Sequence, residues 1–293
     1  MAVQPDPALR GHAVDGVSHL RALVLGGKGF IGRALVTRLG ATSMDVDAWD
    51  LRRPVPSALW LGWDVVYLMA ATLGVDTVCG DPANVLKTNI SIVQNVLDWL
   101  PNRGETFVFA STSEVYALSV ARGLAPIPTP EDVPLLVDPG DKRGSYALSK
   151  VAGESMVRHG HAQWVIVRYH NVYGPGQSRR GFVIPELIHG APVHNPSTTR
   201  AFCYIDDAVE ATILASQHPG QVFNIGNDEE VSIGHVAHML RGTQIQLGIA
   251  RDHDPLRRCP DLTKLKTFTG FQPKISLAEG LQRTQVWYRS PHV

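Results

Sequence analysis

The chain has 293 residues, 44% of them hydrophobic, with 27 basic and 27 acidic side chains and a formal net charge of zero. That length is enough for one large α/β domain, or for a large domain with a small lobe, and the balanced charge excludes the basic footprint of a nucleic-acid partner. No apolar run approaches the ~20 residues of a membrane span, and Cys79, Cys203 and Cys259 are too scattered for a disulfide framework or a zinc site, so we expect a cytoplasmic protein with no metal.

Residues 1–18 carry Pro5, Asp6, Pro7 and Asp15, lack the basic-then-apolar order of a signal peptide, and read as a loose leader. The first strand is expected over Arg21 to Gly26, where Ala22-Leu23-Val24-Leu25 is a short apolar run stopped by glycines. Phe30 to Leu39 has helical spacing, Val46 to Trp49 and Asp64 to Ala70 read as strands, and Asn84 to Leu100 as a long amphipathic helix stopped by Pro101. Thr106 to Ala110 reads as a buried strand, Ser145 to Arg158 as a helix and Trp164 to Arg168 as a strand. This alternation predicts a doubly wound parallel sheet wrapped by helices. After Tyr173-Gly174-Pro175-Gly176 the segments shorten and prolines accumulate, with a return to helix–strand order at Ile205 to Ser216 and Val222 to Ile225. The expected division is 1–18 leader, 19–174 dinucleotide-binding domain and 175–293 substrate-binding lobe, partly interleaved with the first domain.

Gly26-Gly27-Lys28-Gly29-Phe30-Ile31-Gly32 sits between the first strand and the first helix. Glycines there permit a tight turn and bring a dinucleotide pyrophosphate against the backbone N–H groups and dipole of the helix N-terminus. A phosphate-binding loop of the nucleoside-triphosphatase type is excluded, because Arg33 and Ala34 follow Gly32. Asp50, 18 residues after Gly32, has the spacing of the acid that binds the ribose hydroxyls and favours NAD. Arg52 and Arg53 next to it suit the extra phosphate of NADP, and the 13 residues between Asp50 and Asp64 are few for an intervening strand and helix.

Tyr146 and Lys150 lie four apart on the helix beginning at Ser145 and share a face. An ammonium beside a phenol is expected to lower the phenol's pKa, so that it can take a proton from a sugar hydroxyl as hydride leaves. Ser111-Thr112-Ser113-Glu114 follows a buried strand and faces the ligand crevice. Thr112 is placed to bond the same hydroxyl, and Glu114 to act as general acid or base. His235 and His238, like His159 and His161, read as surface histidines, and Trp60 and Trp63 as packing residues. Cys203 is weighed as a nucleophile and set aside, since nothing nearby in sequence lowers its pKa.

With these motifs in family order, the chain resembles the extended short-chain dehydrogenases/reductases, specifically the nucleotide-sugar epimerases, dehydratases and decarboxylases, with a Rossmann-type fold. The resemblance runs over roughly residues 20 to 290. It rests on the glycine loop, Asp81-Pro82 leading to Asn89, Ser111-Thr112-Ser113-Glu114-Val115-Tyr116, and Ser145-Tyr146-Ala147-Leu148-Ser149-Lys150. It continues through Arg168-Tyr169-His170-Asn171-Val172-Tyr173-Gly174-Pro175-Gly176, Thr199 to Asp207, Asn224-Ile225-Gly226 and Arg258-Cys259-Pro260-Asp261.

The resemblance implies that Thr112, Tyr146 and Lys150 are the catalytic triad. It implies an NAD site, NADP remaining open, formed by Gly26, Gly29, Phe30, Ile31, Gly32, Asp50, Arg52, Ala70, Asn89 and Lys150. Asn171 would contact the substrate's sugar or phosphate, and Arg200 and Arg258 its pyrophosphate. Several motifs look like those of UDP-glucuronate decarboxylases, in which Glu114 and Ser113 would assist loss of carboxylate with Arg200 nearby. Others look like those of epimerases and dehydratases, and the short stretch from Gly190 to Arg200 leaves the nucleotide open. A homodimer built on the helices Asn84 to Leu100 and Ser145 to Arg158 is implied as well. The alternatives are an NADPH-dependent ketoreductase acting on a sugar or natural-product intermediate and a non-catalytic dinucleotide sensor.

Overall fold

The computed structural model describes residues 20–177, 181–249 and 256–290, so the leader expected over residues 1–18 lies outside the described residues. The amino-terminal half runs β1 (Ala22–Leu25), α1 (Phe30–Leu39), β2 (Thr42–Met44), β3 (Val65–Leu68), α2 (Val75–Gly80), α3 (Pro82–Trp99), β4 (Thr106–Thr112), α4 (Ala117–Ala121), α5 (Gly144–Gly160) and β5 (Trp164–Tyr169). There follow β6 (Val172–Tyr173), α6 (Val183–Ile188), β7 (Thr199–Ala201), β8 (Cys203–Tyr204), α7 (Ile205–Ala215), β9 (Gln221–Ile225), β10 (Glu230–Ser232), α8 (Ile233–Arg241), β11 (Arg257–Arg258), α9 (Thr263–Thr269) and α10 (Leu277–Arg289).

Six strands form one parallel sheet in the order β2-β1-β3-β4-β5-β9. Their apolar runs are continuous because both faces are covered. Val24, Tyr67, Val108, Val167 and Phe223 point into one core, which contains α7 residues Ala208 and Ala211. Leu23, Leu25, Leu68, Phe107, Phe109 and Ile166 point into the other, with Ile92, Val93 and Val96 of α3. Alternate residues thus serve opposite faces, as the period of a strand requires. β9 comes from the carboxyl-terminal part of the chain, yet it completes the edge of this sheet beside β5. β7, β10 and β11 form a separate small sheet, and β6 pairs with β8.

Two local features set the site. Asp81 caps α3 by accepting from the Asn84 N–H at 3.1 Å, and Pro82 takes the first helical position, where no donor is needed. This explains the Asp-Pro pair as a helix start. Gly153 lets α5 lie close on β4, since a Cβ there would stand 2.7 Å from the ring of Phe109.

The expected strand at Val46 to Trp49 is not formed. The second strand is Thr42–Met44, in register with Leu23–Leu25. Beyond it the backbone turns: Ala48 and Trp49 N–H groups both donate to the Asp45 carbonyl at 2.8 and 2.9 Å, and Val46 is 66% exposed. A short polar strand escaped notice while an apolar pair in a turn resembled one. Residues 45–64 supply no further strand, so β2 is the sheet edge. Trp49, Val55, Leu59, Trp60 and Leu61 pack on the core beside Trp99 instead, with Trp60 edge-on to Trp99 at 5.6 Å. Trp63 is likewise buried, at 7% exposure.

Gly26 has φ of 89°, and a Cβ there would stand 2.6 Å from the Ala70 backbone nitrogen. Gly26→Ala is therefore expected to lower stability by about 1–3 kcal/mol, the usual range for overpacking, with backbone strain added. Urea unfolding measures this, and an unchanged midpoint would show that the loop has room the structure denies it.

Candidate active site

The crevice opens at the carboxyl ends of the parallel strands, and β1 lies where strand order reverses, flanked by β2 and β3. The glycine loop leaves β1 at this switch point. Gly29 heads α1 without a side-chain cap, and no acidic residue occupies the first turn. The N–H groups of Phe30, Ile31 and Gly32 begin the helix with no carbonyl four residues behind them inside it. A pyrophosphate would meet those donors, the helix dipole and a glycine surface, so the loop fits a dinucleotide. Ala70 closes the other side of the turn, its N–H donating to Leu25 O at 3.0 Å.

The acid beside this loop is Asp45, not Asp50. Asp45 follows the last residue of β2, and its Oδ2 accepts from the Lys28 backbone N–H at 2.9 Å. Asp47 pairs with the Lys28 ammonium at 2.6 Å. Asp50 lies further on, in the segment crossing α3, where Asn95 donates to the Leu51 carbonyl at 2.9 Å. Its carboxylate is gripped by Arg52, through Nη2 at 2.7 Å and Nε at 2.9 Å, which holds it well below the usual carboxylate range. Arg52 is spent on that pair, which weakens the case for a 2′-phosphate. The second strand ends at Met44, before the expected Val46 to Trp49, which brings Asp45 rather than Asp50 beside the loop.

Asn89 is buried on α3. Its Nδ2 donates to Thr72 O at 3.1 Å and to Ser149 Oγ at 3.1 Å, while its Oδ1 accepts from Thr72 N at 2.8 Å. The side chain ties the turn after β3 to α5 at the residue preceding Lys150.

Thr112 ends β4, and its hydroxyl accepts from the Glu114 N–H at 3.2 Å and acts on Tyr146 to favour its ionised form. Lys150 is buried and donates to Ala110 O at 2.7 Å, with its ammonium 4.9 Å from the Phe109 ring centroid and 5.9 Å from that of Tyr146. The three expected catalytic residues are thus together. The expected lowering of the Tyr146 pKa is not found. Burial raises it, the Glu114 carboxylate raises it further, and the Thr112 hydroxyl only partly opposes them. Burial also lowers Lys150, to about 8, against Glu154, which favours the charged form.

Glu114 makes a two-pronged pair with Arg258, at 2.6 Å and 3.2 Å. Its side chain is enclosed by protein yet keeps 36% of its surface, the mark of a crevice-lining group. Burial works to raise its pKa, but Arg258, backed by Arg143 and Arg200, outweighs it and holds the group below the usual carboxylate range. Arg258 sits opposite Arg200 in the β7–β11 register, so this small sheet brings two guanidinium groups to the Glu114 side of the crevice. Arg257, the neighbour on β11, turns instead to Glu230 at 2.6 Å. Ser113 is buried in the turn after β4. Asn171 has a left-handed φ of 40° and donates to Ala201 O at 3.1 Å, linking the end of β5 to β7.

Sequence reasoning missed Asp45, Arg143 and His170. The His170 Nε2 lies 3.2 Å from Asn224 Oδ1. That oxygen accepts from Tyr116, and the Asn224 Nδ2 donates to Thr129 O and Asp261 O. So Nε2 carries the proton, and Nδ1 is a buried acceptor without a partner. Burial holds the ring's pKa at about 3. Cys203 is buried, and its thiol is pushed up by burial and Asp207, which removes it as a nucleophile. His235, His238 and His159 are exposed as expected, whereas His161 is buried 3.2 Å from Glu105.

A parallel sheet with a glycine turn at its switch point, and a Thr–Tyr–Lys group on the strand and helix that follow, define an extended short-chain dehydrogenase/reductase. The family model for the NAD dependent epimerase/dehydratase family matches residues 22–226, and the chain belongs to that family. UDP-N-acetyl-alpha-D-glucosaminuronate decarboxylase of Bacillus cytotoxicus is 34% identical over 256 residues, covering 77% of each chain. Among solved structures, TunA, a NAD dependent NDP-hexosamine 5,6-dehydratase of tunicamycin biosynthesis, superposes with TM-score 0.79 at 26% identity, covering 93% of this chain and 98% of that one. The UDP-glucuronic acid 4-epimerase of Bacillus cereus, solved with UDP-glucuronic acid and NAD, gives TM-score 0.76 at 27% identity, over 91% of this chain and 98% of that one.

Proposed function

We infer that the protein is an NAD-dependent decarboxylase of a nucleotide-linked uronic acid. The observation that carries this reading is the Glu114–Arg258 pair facing the crevice next to Tyr146, with Arg143 and Arg200 acting on the same carboxylate. Three guanidinium groups against one carboxylate suit a substrate that is anionic twice, at a diphosphate and at a sugar carboxylate. The relatives point the same way: the Bacillus cytotoxicus decarboxylase is named for a UDP-linked uronate, and the Bacillus cereus epimerase was solved with one.

The residues that would hold NAD are the glycine loop, the first turn of α1, Asp45 and Lys150. Bound there, NAD supplies an acceptor and donor of hydride at the sugar ring. The protein's part is proton handling and charge. Tyr146 Oη is the atom that takes the sugar hydroxyl proton, with the Thr112 hydroxyl favouring its ionised form and the Lys150 ammonium beside its ring. A ketone next to the carbon bearing the carboxylate lets that carbon–carbon bond break with its electron pair delocalised onto the ketone oxygen, releasing CO2; the carbon would then take a proton from solvent, and the hydride and the Tyr146 proton would return to the ketone. The Glu114–Arg258 pair lines the same crevice, and the Arg258 guanidinium would offset the charge that develops. Glu114 keeps Arg258 in place, and Arg258 keeps Glu114 ionised.

Proton transfer, cofactor choice and assembly follow as parts of the same reading. Asp45 would select NAD by accepting from the adenosine ribose hydroxyls. Asp45→Ala is expected to weaken NAD about tenfold or more, the loss of hydrogen bonds to a charged group, and to narrow the preference over NADP, while Asp50→Ala leaves both unchanged. Calorimetric titration of the two cofactors reads this, and a larger effect at Asp50 would restore the spacing rule. A cytoplasmic location belongs to the same proposal, and the three cysteines are free thiols, as a reducing compartment would keep them. No helix among the described residues is long and apolar enough to cross a membrane. A homodimer through α3 and α5, which lie side by side, completes the proposal. Incubation with UDP-glucuronate and NAD tests the whole: release of CO2 supports it.

A further inference from the structure

Behind Tyr146 and Lys150 lies a buried ionic cluster that the proton transfer does not use. Glu154 follows Lys150 by one turn of α5, so the two share a helix face, and they are 3% and 4% exposed. Arg168 reaches from β5 and grips Glu154 twice, Nε to Oε1 at 2.9 Å and Nη2 to Oε2 at 2.7 Å. The Ser111 hydroxyl donates to Oε1 at 2.6 Å. The remaining Arg168 nitrogen donates to the Tyr116 oxygen at 2.7 Å and to Glu131 O at 2.9 Å.

A buried ion pair is an expensive way to fill space, and apolar residues of similar volume commonly serve stability as well or better. What an apolar side chain cannot do is hold a negative charge one helical turn from a buried ammonium. Lys150 has one carbonyl, Ala110 O, as its hydrogen-bond acceptor. It is otherwise set against the Phe109 and Tyr146 rings.

We propose that Glu154 is a positioning residue of the active site: fixed by Arg168 and Ser111, its carboxylate is the counter-charge that keeps the Lys150 side chain an ammonium seated beside Tyr146. The electrostatics agree, for burial lowers Lys150 and Glu154 is the charge that opposes it. The other groups facing α5 do not substitute. β4 presents Phe109, Ala110, Ser111 and Thr112, all uncharged, and α3 presents Asn89. The turn after β4 presents Tyr116 and Glu114, and Glu114 is turned to Arg258 on the crevice side, while Glu154 is the carboxylate that acts on Lys150. β5 presents Arg168, and α5 itself adds Arg158, 3.9 Å from Glu154. The functional meaning rests on the proposed proton transfer through Tyr146 and Lys150, but the charge relation holds without substrate.

The test is an NMR titration of protein carrying 13C at lysine Cε, with the Lys150 signal identified by its loss in Lys150→Arg. In the wild-type protein Lys150 is expected to titrate near 8. In Glu154→Gln the midpoint falls by about one pH unit or more, while Glu154→Asp, which keeps the charge, stays near wild type. If Glu154→Gln leaves Arg168 unpaired and unfolds, Glu154→Gln/Arg168→Met removes both charges and shows a smaller fall in the same direction. A folded protein lacking the Glu154 carboxylate whose Lys150 titrates as in wild type overturns the proposal. In turnover, the alkaline limb of kcat moves to lower pH with KM unchanged, which a merely structural role would not produce. Wild-type protein that makes no CO2 from a nucleotide-linked uronate contradicts the assigned reaction and leaves the titration result standing.

Discussion

Tyr146→Phe is expected to lower turnover by about two to four orders of magnitude, the usual share of a positioned acid–base group, while NAD binding is retained. The phenol oxygen is the one atom that variant removes. Lys150, which is also proposed for the cofactor site, keeps its bond to Ala110 O, and the glycine loop is untouched. Burial and Glu114 hold the phenol above its ordinary pKa, so Tyr146 can accept the hydroxyl proton only once its own has left, a loss that the Thr112 hydroxyl and the Lys150 ammonium beside its ring favour. Thr112→Val should therefore reduce kcat in the same direction. Measured turnover with separate NAD binding decides it. A Tyr146→Phe protein as active as wild type would remove Tyr146 from the chemistry.

Glu114→Gln has the second large effect, about two to four orders of magnitude in CO2 release, and it separates reactions that share the first steps. The carboxylate is held ionised against burial by Arg258, Arg143 and Arg200. Its neutral amide keeps the shape but loses that charge and loosens Arg258. Oxidation of the sugar hydroxyl depends on Tyr146 and should survive, so a single turnover would still show NADH absorbance without release of CO2. Loss of both signals together would make Glu114 part of the hydroxyl oxidation. Survival of both would make the pair with Arg258 structural. The pH dependence carries the same sign. Because the folded pKa of Glu114 is depressed, the ion pair is present above the ordinary carboxylate range and is lost as pH falls through the depressed value. Decarboxylation should accordingly be insensitive to pH near neutrality on the acid side.

The central sheet was legible because buried parallel strands announce themselves as unbroken apolar runs: Ala22–Leu25, Val65–Leu68 and Trp164–Tyr169 each came out within two residues of expectation at either end. The Tyr146–Lys150 pair was legible because helical spacing puts both on one face. The second strand was not, since Thr42-Ser43-Met44 has neither an apolar run nor alternation, and its identity comes from pairing with β1. That one miss carried Asp50 into a role for which Asp45 is better placed. The partnership of Glu114 with Arg258 was equally out of reach. The residues are 144 apart in sequence and meet only because a small sheet folds over the strand ends. The same holds for Glu154 and Arg168, whose pairing requires β5 to lie beneath α5.

The most direct measurement of the assigned reaction is mass spectrometry of the products formed from UDP-glucuronate, or its N-acetylglucosamine-derived counterpart, with NAD present in catalytic amount. The account predicts a nucleotide-sugar lighter by one CO2, formed over many turnovers by wild type and not by Glu114→Gln. A product of unchanged mass, or reduced cofactor consumed mole for mole with a keto substrate, would contradict it.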